Sequence, residues 1–318
     1  MNVFLVVLQS VLALIGIGVL GFWIIRRGIL PDYAIVFLSR LAIDVALPCV
    51  VFAGIVLNFS PAETPGWWHL PLWWAAFECV ACLLMLMALP LSNRATRGEF
   101  GLSLFFQNGL FFPLIVISGL FGQGSPYAVQ LFIFGIVHPV LFFTTAHFFF
   151  RRKNRSRPRL RLARIANPVL VSITAALAIK LGGVDIYLPR FVTTMLTMIG
   201  GMTLPLLMII LGGSLYIDFQ KKGTIYVREL LAFIAVKNFL FPLIFTGLLA
   251  WLRPGYSIAL ILFLESAVPP ITGTSVHAER EGGNASIANQ FILASFAASV
   301  VSIPLMFMIF SRVFPLPQ

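Results

Sequence analysis

The stretch Leu264-Glu265-Ser266-Ala267-Val268-Pro269-Pro270 lies deep inside an apolar segment running from about Tyr256 to His277. Two consecutive prolines remove two backbone donors and clash with the preceding turn, so a regular helix cannot pass through. A carboxylate stands four residues before the first of them. In hydrocarbon a central Glu costs on the order of 3 kcal/mol, and irregular backbone survives at that depth only where protein or a water-filled cavity covers it. A broken helix carrying an acid at mid-depth is the pattern of a transport site.

The stretch has a counterpart in Phe106-Gln107-Asn108-Gly109-Leu110-Phe111-Phe112-Pro113, also midway along an apolar run. Pro113 and Pro270 are 157 positions apart, and so are Asn108 and Glu265, and Pro48 and Pro205. We read an internal duplication of about half the chain.

The composition sets both breaks in a membrane. The 318 residues are 59% hydrophobic and 10% charged, with a mean hydropathy of +0.98. A soluble domain carries roughly 25% charged residues. The net charge of +11 does not mark a nucleic-acid surface, because eight of the basic residues fall in one connection, Arg151 to Arg164. That cluster reads as a topology determinant resting on anionic headgroups, each charge contributing about 1 kcal/mol there. Cys49, Cys79 and Cys82 all lie in apolar runs and read as buried small side chains; no four-ligand set supports a zinc site. The first apolar run lacks a basic leader and is too long for a cleaved signal, so it reads as the first span.

A spanning helix needs about 20 apolar residues. Ten segments are predicted: 3–25, 34–58, 68–91, 100–121, 127–150, 166–182, 190–216, 227–251, 256–278 and 285–311. With the basic connection in the cytoplasm, 16 Lys and Arg residues lie in cytoplasmic connections and 4 on the opposite side. The bias puts both termini outside. Five spans precede the basic connection and five follow, so the second set is inverted. The expected fold is therefore an all-α integral membrane protein of ten helices in two inverted five-helix repeats, 1–150 and 166–318, joined by the cytoplasmic loop 151–165, with helices 4 and 9 broken and crossing. Trp67, Trp68, Trp73 and Trp74 read as an interfacial belt. The Asn284-Ala285-Ser286 sequon falls at the cytoplasmic face and reads as idle.

Ionisable residues inside spans are functional candidates by default. They are Arg40, Asp44, Glu78, His138, His147, Lys237 and Glu265, with His277 near an end. Glu265 and Asn108 lead, since each precedes a break. If the breaks cross, the half-helices after Pro113 and Pro270 turn free N–H groups and positive dipole ends towards one point, which suits a carboxylate. The Asn108 amide can donate, and Ser266, Thr272 and Thr274 can add hydroxyls. Glu265 is awkward beside an anion unless it binds a proton, and a Glu that is neutral when substrate is bound would couple uptake to protons. The alternative is that Glu265 only satisfies backbone groups freed by the double proline. Asp44 and Lys237 are read as an opposite-charge pair, either a static brace or one that opens with protonation; Arg40, one turn before Asp44, could compete. His138 and His147 are read as hydrogen-bonded packing residues. Glu78 has no evident partner. Nothing in the residues supports an enzyme, a cofactor or a metal site.

In order along the chain, the sequence resembles the auxin efflux carrier family, which includes plant auxin exporters and bacterial malonate or malate carriers. The likeness is carried by Leu38-Ser39-Arg40-Leu41-Ala42-Ile43-Asp44-Val45-Ala46-Leu47-Pro48, Asn108-Gly109-x-x-x-Pro113, Asn167-Pro168, Leu211-Gly212-Gly213-Ser214-Leu215, Lys237-x-x-x-x-Pro242, and Glu265 to Pro270 with the following Ala278 to Asn284. The resemblance implies scaffold helices 1, 2, 6 and 7, often dimeric, and transport helices 3–5 and 8–10. It implies an elevator motion and a substrate carboxylate bound at the crossing by Asn108, Gly109, Pro113, Glu265, Ser266, Pro269, Pro270 and Thr272. It also implies a support site of the Asp44 and Lys237 kind. The plant exporters carry Asn at both crossing positions, whereas this chain has Glu265 at one. The expectation is a secondary carrier of a small organic anion in a membrane, the bacterial inner membrane, coupled to protons or sodium and working as a homodimer. The competing expectation is a cation or proton exchanger of the related antiporter architecture, and a third is a membrane sensor using the same fold. An exchanger usually gathers several acids, and the sequence sets only Glu265 near the crossing.

Overall fold

Apolar runs of this length have one stable solution in lipid, the helix, because it satisfies every backbone group internally. A computed structural model describes residues 3–62, 66–122, 125–150, 168–220, 226–271 and 273–317. The loop 151–165, Asn167 and Thr272 lie outside the described residues. The order is α1 (Val3–Arg26), α2 (Ala34–Arg40), a π-helical turn (Leu41–Ala46), α3 (Leu47–Asn58), α4 (Leu70–Ala88), α5 (Arg97–Phe105), α6 (Phe111–Phe121), α7 (Pro126–Phe134), α8 (His138–Thr145) and α9 (Pro168–Leu181). There follow α10 (Arg190–Gly201), α11 (Thr203–Gln220), α12 (Val227–Ile234), a second π turn (Ala235–Leu240), α13 (Phe241–Leu252), α14 (Tyr256–Ala267), α15 (Gly273–Arg280) and α16 (Ala285–Val313). The extended backbone among the described residues includes one isolated antiparallel bridge, Gln107 with Pro270.

Among the described residues, five helical stretches are long and apolar enough to cross a membrane: Ala34–Asn58, Trp67–Leu91, Arg190–Ile217, Val227–Leu252 and Ala285–Val313. Five shorter apolar helices, Ile15–Arg26, Phe111–Phe121, Pro126–Val137, Pro168–Leu181 and Tyr256–Ala267, fall in the other predicted segments. The protein is integral to a membrane.

Both π turns end just before a proline. Pro48 and Pro242 have no N–H and crowd the carbonyl four residues back. The ladder widens there, so that Leu47 N–H bonds Ala42 O and Phe241 N–H bonds Val236 O. Helix starts follow ordinary capping chemistry. Ser125 accepts from Tyr127 N–H at 3.3 Å with Pro126 at the first helical position. Asn284 accepts from Ser286 and Ile287 N–H at the head of α16, so the sequon's side chain serves as a cap.

Close approach is concentrated between α1 and α11. A Cβ on Gly212 would run into the backbone of Gly18 and Phe22, and one on Gly21 into the backbone of Ile209. Glycines at such a seam let two backbones touch where no hydrophobic force draws helices together. α3 packs on α9 and α10, and α2 on α11. Elsewhere α16 lies against α5, α12, α13, α14 and α15, and α4 against α5, α7 and α14. The cysteines differ from the sequence reading: Cys79 is exposed and Cys49 and Cys82 are half-buried, since lipid solvates a thiol as readily as a core does.

Candidate functional site at the crossing

The two broken segments meet. α5 stops at Phe105 and α14 at Ala267, and the strands that follow pair with each other. Asn108 N–H donates to Pro269 O at 2.8 Å and Ile271 N–H to Phe106 O at 3.0 Å. Groups released by the prolines thus satisfy one another across the break, as buried backbone must. One detail departs from expectation. The second half of the first broken helix begins at Phe111, two residues before Pro113. A proline in the first turn loses no bond, because that N–H has no helical partner anyway.

The Glu265 carboxyl lies directly over Gly109. A Cβ at Gly109 would collide with Glu265 Oε2 and sit 2.7 Å from both Cδ and Oε1. Glu265 is 2% exposed, and its Oε2 has no hydrogen-bond partner. Asn108, next to Gly109 in the chain, is buried. Other expected donors are occupied. Ser266 Oγ donates to Phe263 O at 2.6 Å and Thr274 Oγ1 to Ile271 O at 2.8 Å, each closing its own helix end.

Around Glu265 is a buried polar cluster that the sequence reading did not assemble. Gln107 Nε2 donates to Glu78 Oε1 at 3.1 Å. His138 Nδ1 lies 3.5 Å from Glu78 Oε1. Lys237, 1% exposed, has Glu265 and Glu78 as its charged neighbours. Its Nζ makes no hydrogen bond and stands 5.1 Å from the Phe241 ring centroid, where the ring face attracts a cation. Two carboxyls, one ammonium and one imidazole therefore converge from α4, α8, the second π turn and α14.

Two sequence expectations are corrected. Asp44 does not pair with Lys237: it is exposed on the first π turn, and that turn packs on α2, α3, α9, α10 and α11 rather than on the elements around Lys237. Opposite charge on two helices does not decide which helices adjoin. Glu265 is also not the only acid at the crossing, because Glu78 joins it. Glu78 is the one charged residue on α4 and His138 opens the eight-residue α8; the one signal in the sequence was that each is ionisable inside a span. His138 meets the cluster only through Nδ1, 3.5 Å from Glu78 Oε1, and its Nε2 has no hydrogen-bond partner. No ion pair joins Arg40 to Asp44.

A family model described as membrane transport protein matches residues 6–160 and 155–307, nearly the whole chain. A search of curated proteins found no match.

Proposed function

Because the chain belongs to the membrane transport protein family, the auxin efflux carriers, it is a membrane transporter, and we propose that its cargo is a small organic anion, a mono- or dicarboxylate. The observation that carries this reading is the clasped crossing, which buries the Asn108 amide, the Lys237 ammonium and the Glu265 carboxyl around one break. An anion entering there meets a neutral donor and a buried cation, the recognition chemistry of a carboxylate. The N-terminal turns of α6 and α15 add positive dipole ends.

In the same reading the ten apolar segments are two inverted five-helix repeats. α1, α2–α3, α9 and α10–α11 form a scaffold; the remaining helices carry the crossing past it as an elevator. The close α1–α11 seam supports a rigid scaffold. The termini lie outside the cytoplasm of a bacterial cell, and the scaffold pairs two copies.

One observation favours a second reading, a cation or proton exchanger: Glu78 brings a second acid to the crossing. Tracer flux in proteoliposomes separates the two. Uptake of labelled malonate, malate or indole-3-acetate driven by a proton gradient supports the anion carrier. Sodium or proton flux with no carboxylate uptake replaces it with the exchanger. Asn108→Ala should weaken carboxylate binding about tenfold, the equivalent of one lost hydrogen bond to a charged group; unchanged affinity moves the binding place elsewhere.

A further inference from the structure

α9 and α10 both pack on α3 and scarcely on each other, so a groove opens between them with α3 as its floor. Its volume is about 550 Å³, within the roughly 300–1,000 Å³ of small-molecule sites. Cys49 and Phe52 lie on the floor, Val171 and Ala175 on one wall, and Val192 and Leu196 on the other. Polar bonds and a close contact fix this frame. Ser172 Oγ donates to Pro48 O at 2.6 Å and Lys180 Nζ to Val56 O at 3.0 Å, which ties α9 to α3 at two points. A Cβ on Gly200 would stand 2.7 Å from the Val50 backbone, so α10 touches α3 there. The Ser172 bond also occupies the one hydroxyl among the groove's side chains. That hydroxyl needs no water, and an apolar cavity stays dry.

We propose that this groove binds an acyl chain of an anionic membrane phospholipid whose phosphate meets Arg190. The charge needed for the headgroup stands at the α9–α10 connection. Arg190 is two positions from Leu188, another lining residue; it is exposed, and among the described residues no ion pair occupies it. The other cation of that region, Lys180, is already held by Asp185 at 2.7 Å. Tyr187, exposed close by, has the amphipathic ring favoured at headgroup level. A free guanidinium beside a dry apolar groove in a membrane matches a phosphate outside and a hydrocarbon chain within. The groove is too small to seat a helix of a second copy. A helix is about 10 Å across with a pitch of about 5.4 Å, so one turn fills about 400 Å³. The groove holds little more than one such turn, whereas a flexible chain can follow its walls. None of these residues belongs to the crossing, so the inference is independent of the cargo.

Photolabelling tests this with the intact protein in vesicles of phosphatidylglycerol and phosphatidylethanolamine, the phosphatidylglycerol carrying a diazirine on its acyl chain. Mapping of the adducts should find Phe52, Val171, Ala175 and Val192 labelled several-fold more than Leu83 and Met87, which are exposed on α4 and report ordinary contact with lipid. Ala175→Phe fills the groove and should abolish that excess while the labelling of α4 stays as it was. Arg190→Gln should lower groove labelling about fivefold, the equivalent of one basic residue at an anionic headgroup. Delipidated wild type should melt higher when phosphatidylglycerol is returned, and Ala175→Phe should not respond. Groove labelling no greater than that of α4 means passing lipid only and overturns the proposal. Groove residues shielded from the label in a protein that cross-links as a dimer place a second copy on this face and overturn it equally. Labelling that Arg190→Gln leaves unchanged overturns the headgroup half. The wild-type adduct map decides the matter even if Ala175→Phe does not fold.

Discussion

Gly109→Ala is the sharpest perturbation of the crossing, because it adds one methyl group where the Glu265 carboxyl already lies. The new Cβ would collide with Oε2 and stand 2.7 Å from Cδ, and ordinary van der Waals contact begins at 3.4 Å, so the carboxyl must retreat by more than about 0.7 Å. Glu265 is buried, so its carboxyl must move among packed neighbours. The backbone is not the obstacle, since Gly109 is not among the residues with positive φ, and alanine there should by itself stabilise by about 0.4–1 kcal/mol. The steric term opposes this with about 1–3 kcal/mol, the usual cost of overpacking. The net expectation is a loss of zero to about 2.5 kcal/mol, visible as a lower melting temperature in detergent. Transport should suffer far more, on the order of 100-fold, because a displacement near 1 Å in a positioned group costs that much. Uptake in proteoliposomes measures it. Combining Gly109→Ala with Glu265→Asp withdraws the carboxyl by one methylene and should recover part of the stability, a coupling that a double-mutant cycle reads directly. If Gly109→Ala melts and transports like the wild type, the carboxyl does not lie over Gly109 and the site geometry is wrong.

Three further expectations follow from other parts of the fold. Gly212→Val should force α1 and α11 apart and lower stability by at least 1–3 kcal/mol, roughly the overpacking range, as read by thermal melting; no change would mean that the seam is loose. Asp44→Asn should change melting by less than about 0.5 kcal/mol, the usual range for an exposed site, and a loss matching that of Lys237→Met would mean that the two residues do pair. Asp185, in the turn after α9, accepts from Lys180 Nζ at 2.7 Å, and that bond holds its carboxyl below the usual aspartate range. Its stabilising effect is therefore present above the ordinary aspartate value, near 3.9, and lost as pH falls through the lower folded value. The melting difference between wild type and Asp185→Asn should be small at pH 7 and vanish in strong acid; a difference that grows on acidification has the wrong sign.

Proline chemistry made the crossing legible before any coordinates. Pro269-Pro270 and Pro113 cannot sit inside a helix at membrane depth, and their common spacing from Glu265 and Asn108 tied the two breaks together. The structure moved only the restart of the first broken helix, to Phe111. The rest of the site was not legible for a definite reason. Glu78, His138 and Lys237 are each solitary in an apolar run, and their meeting depends on which faces α4, α8 and the π turn present to α14. Helical periodicity says which residues share a face of one helix, but not which helices adjoin. The Asp44–Lys237 pairing failed on that point. The seam glycines Gly18, Gly21 and Gly212 were visible as residues, though not as one surface, for the same reason.

The clasp between Phe106–Asn108 and Pro269–Ile271 is made by amide and carbonyl groups that every residue type except proline can supply in full. Its geometry is therefore largely indifferent to the identity of the side chains it displays. A carrier built on such a joint can exchange the groups that greet its cargo while the frame that holds them stays as it is. Selectivity then becomes a problem of surface decoration and not of refolding, so transporters sharing this frame can diverge in what they move one substitution at a time.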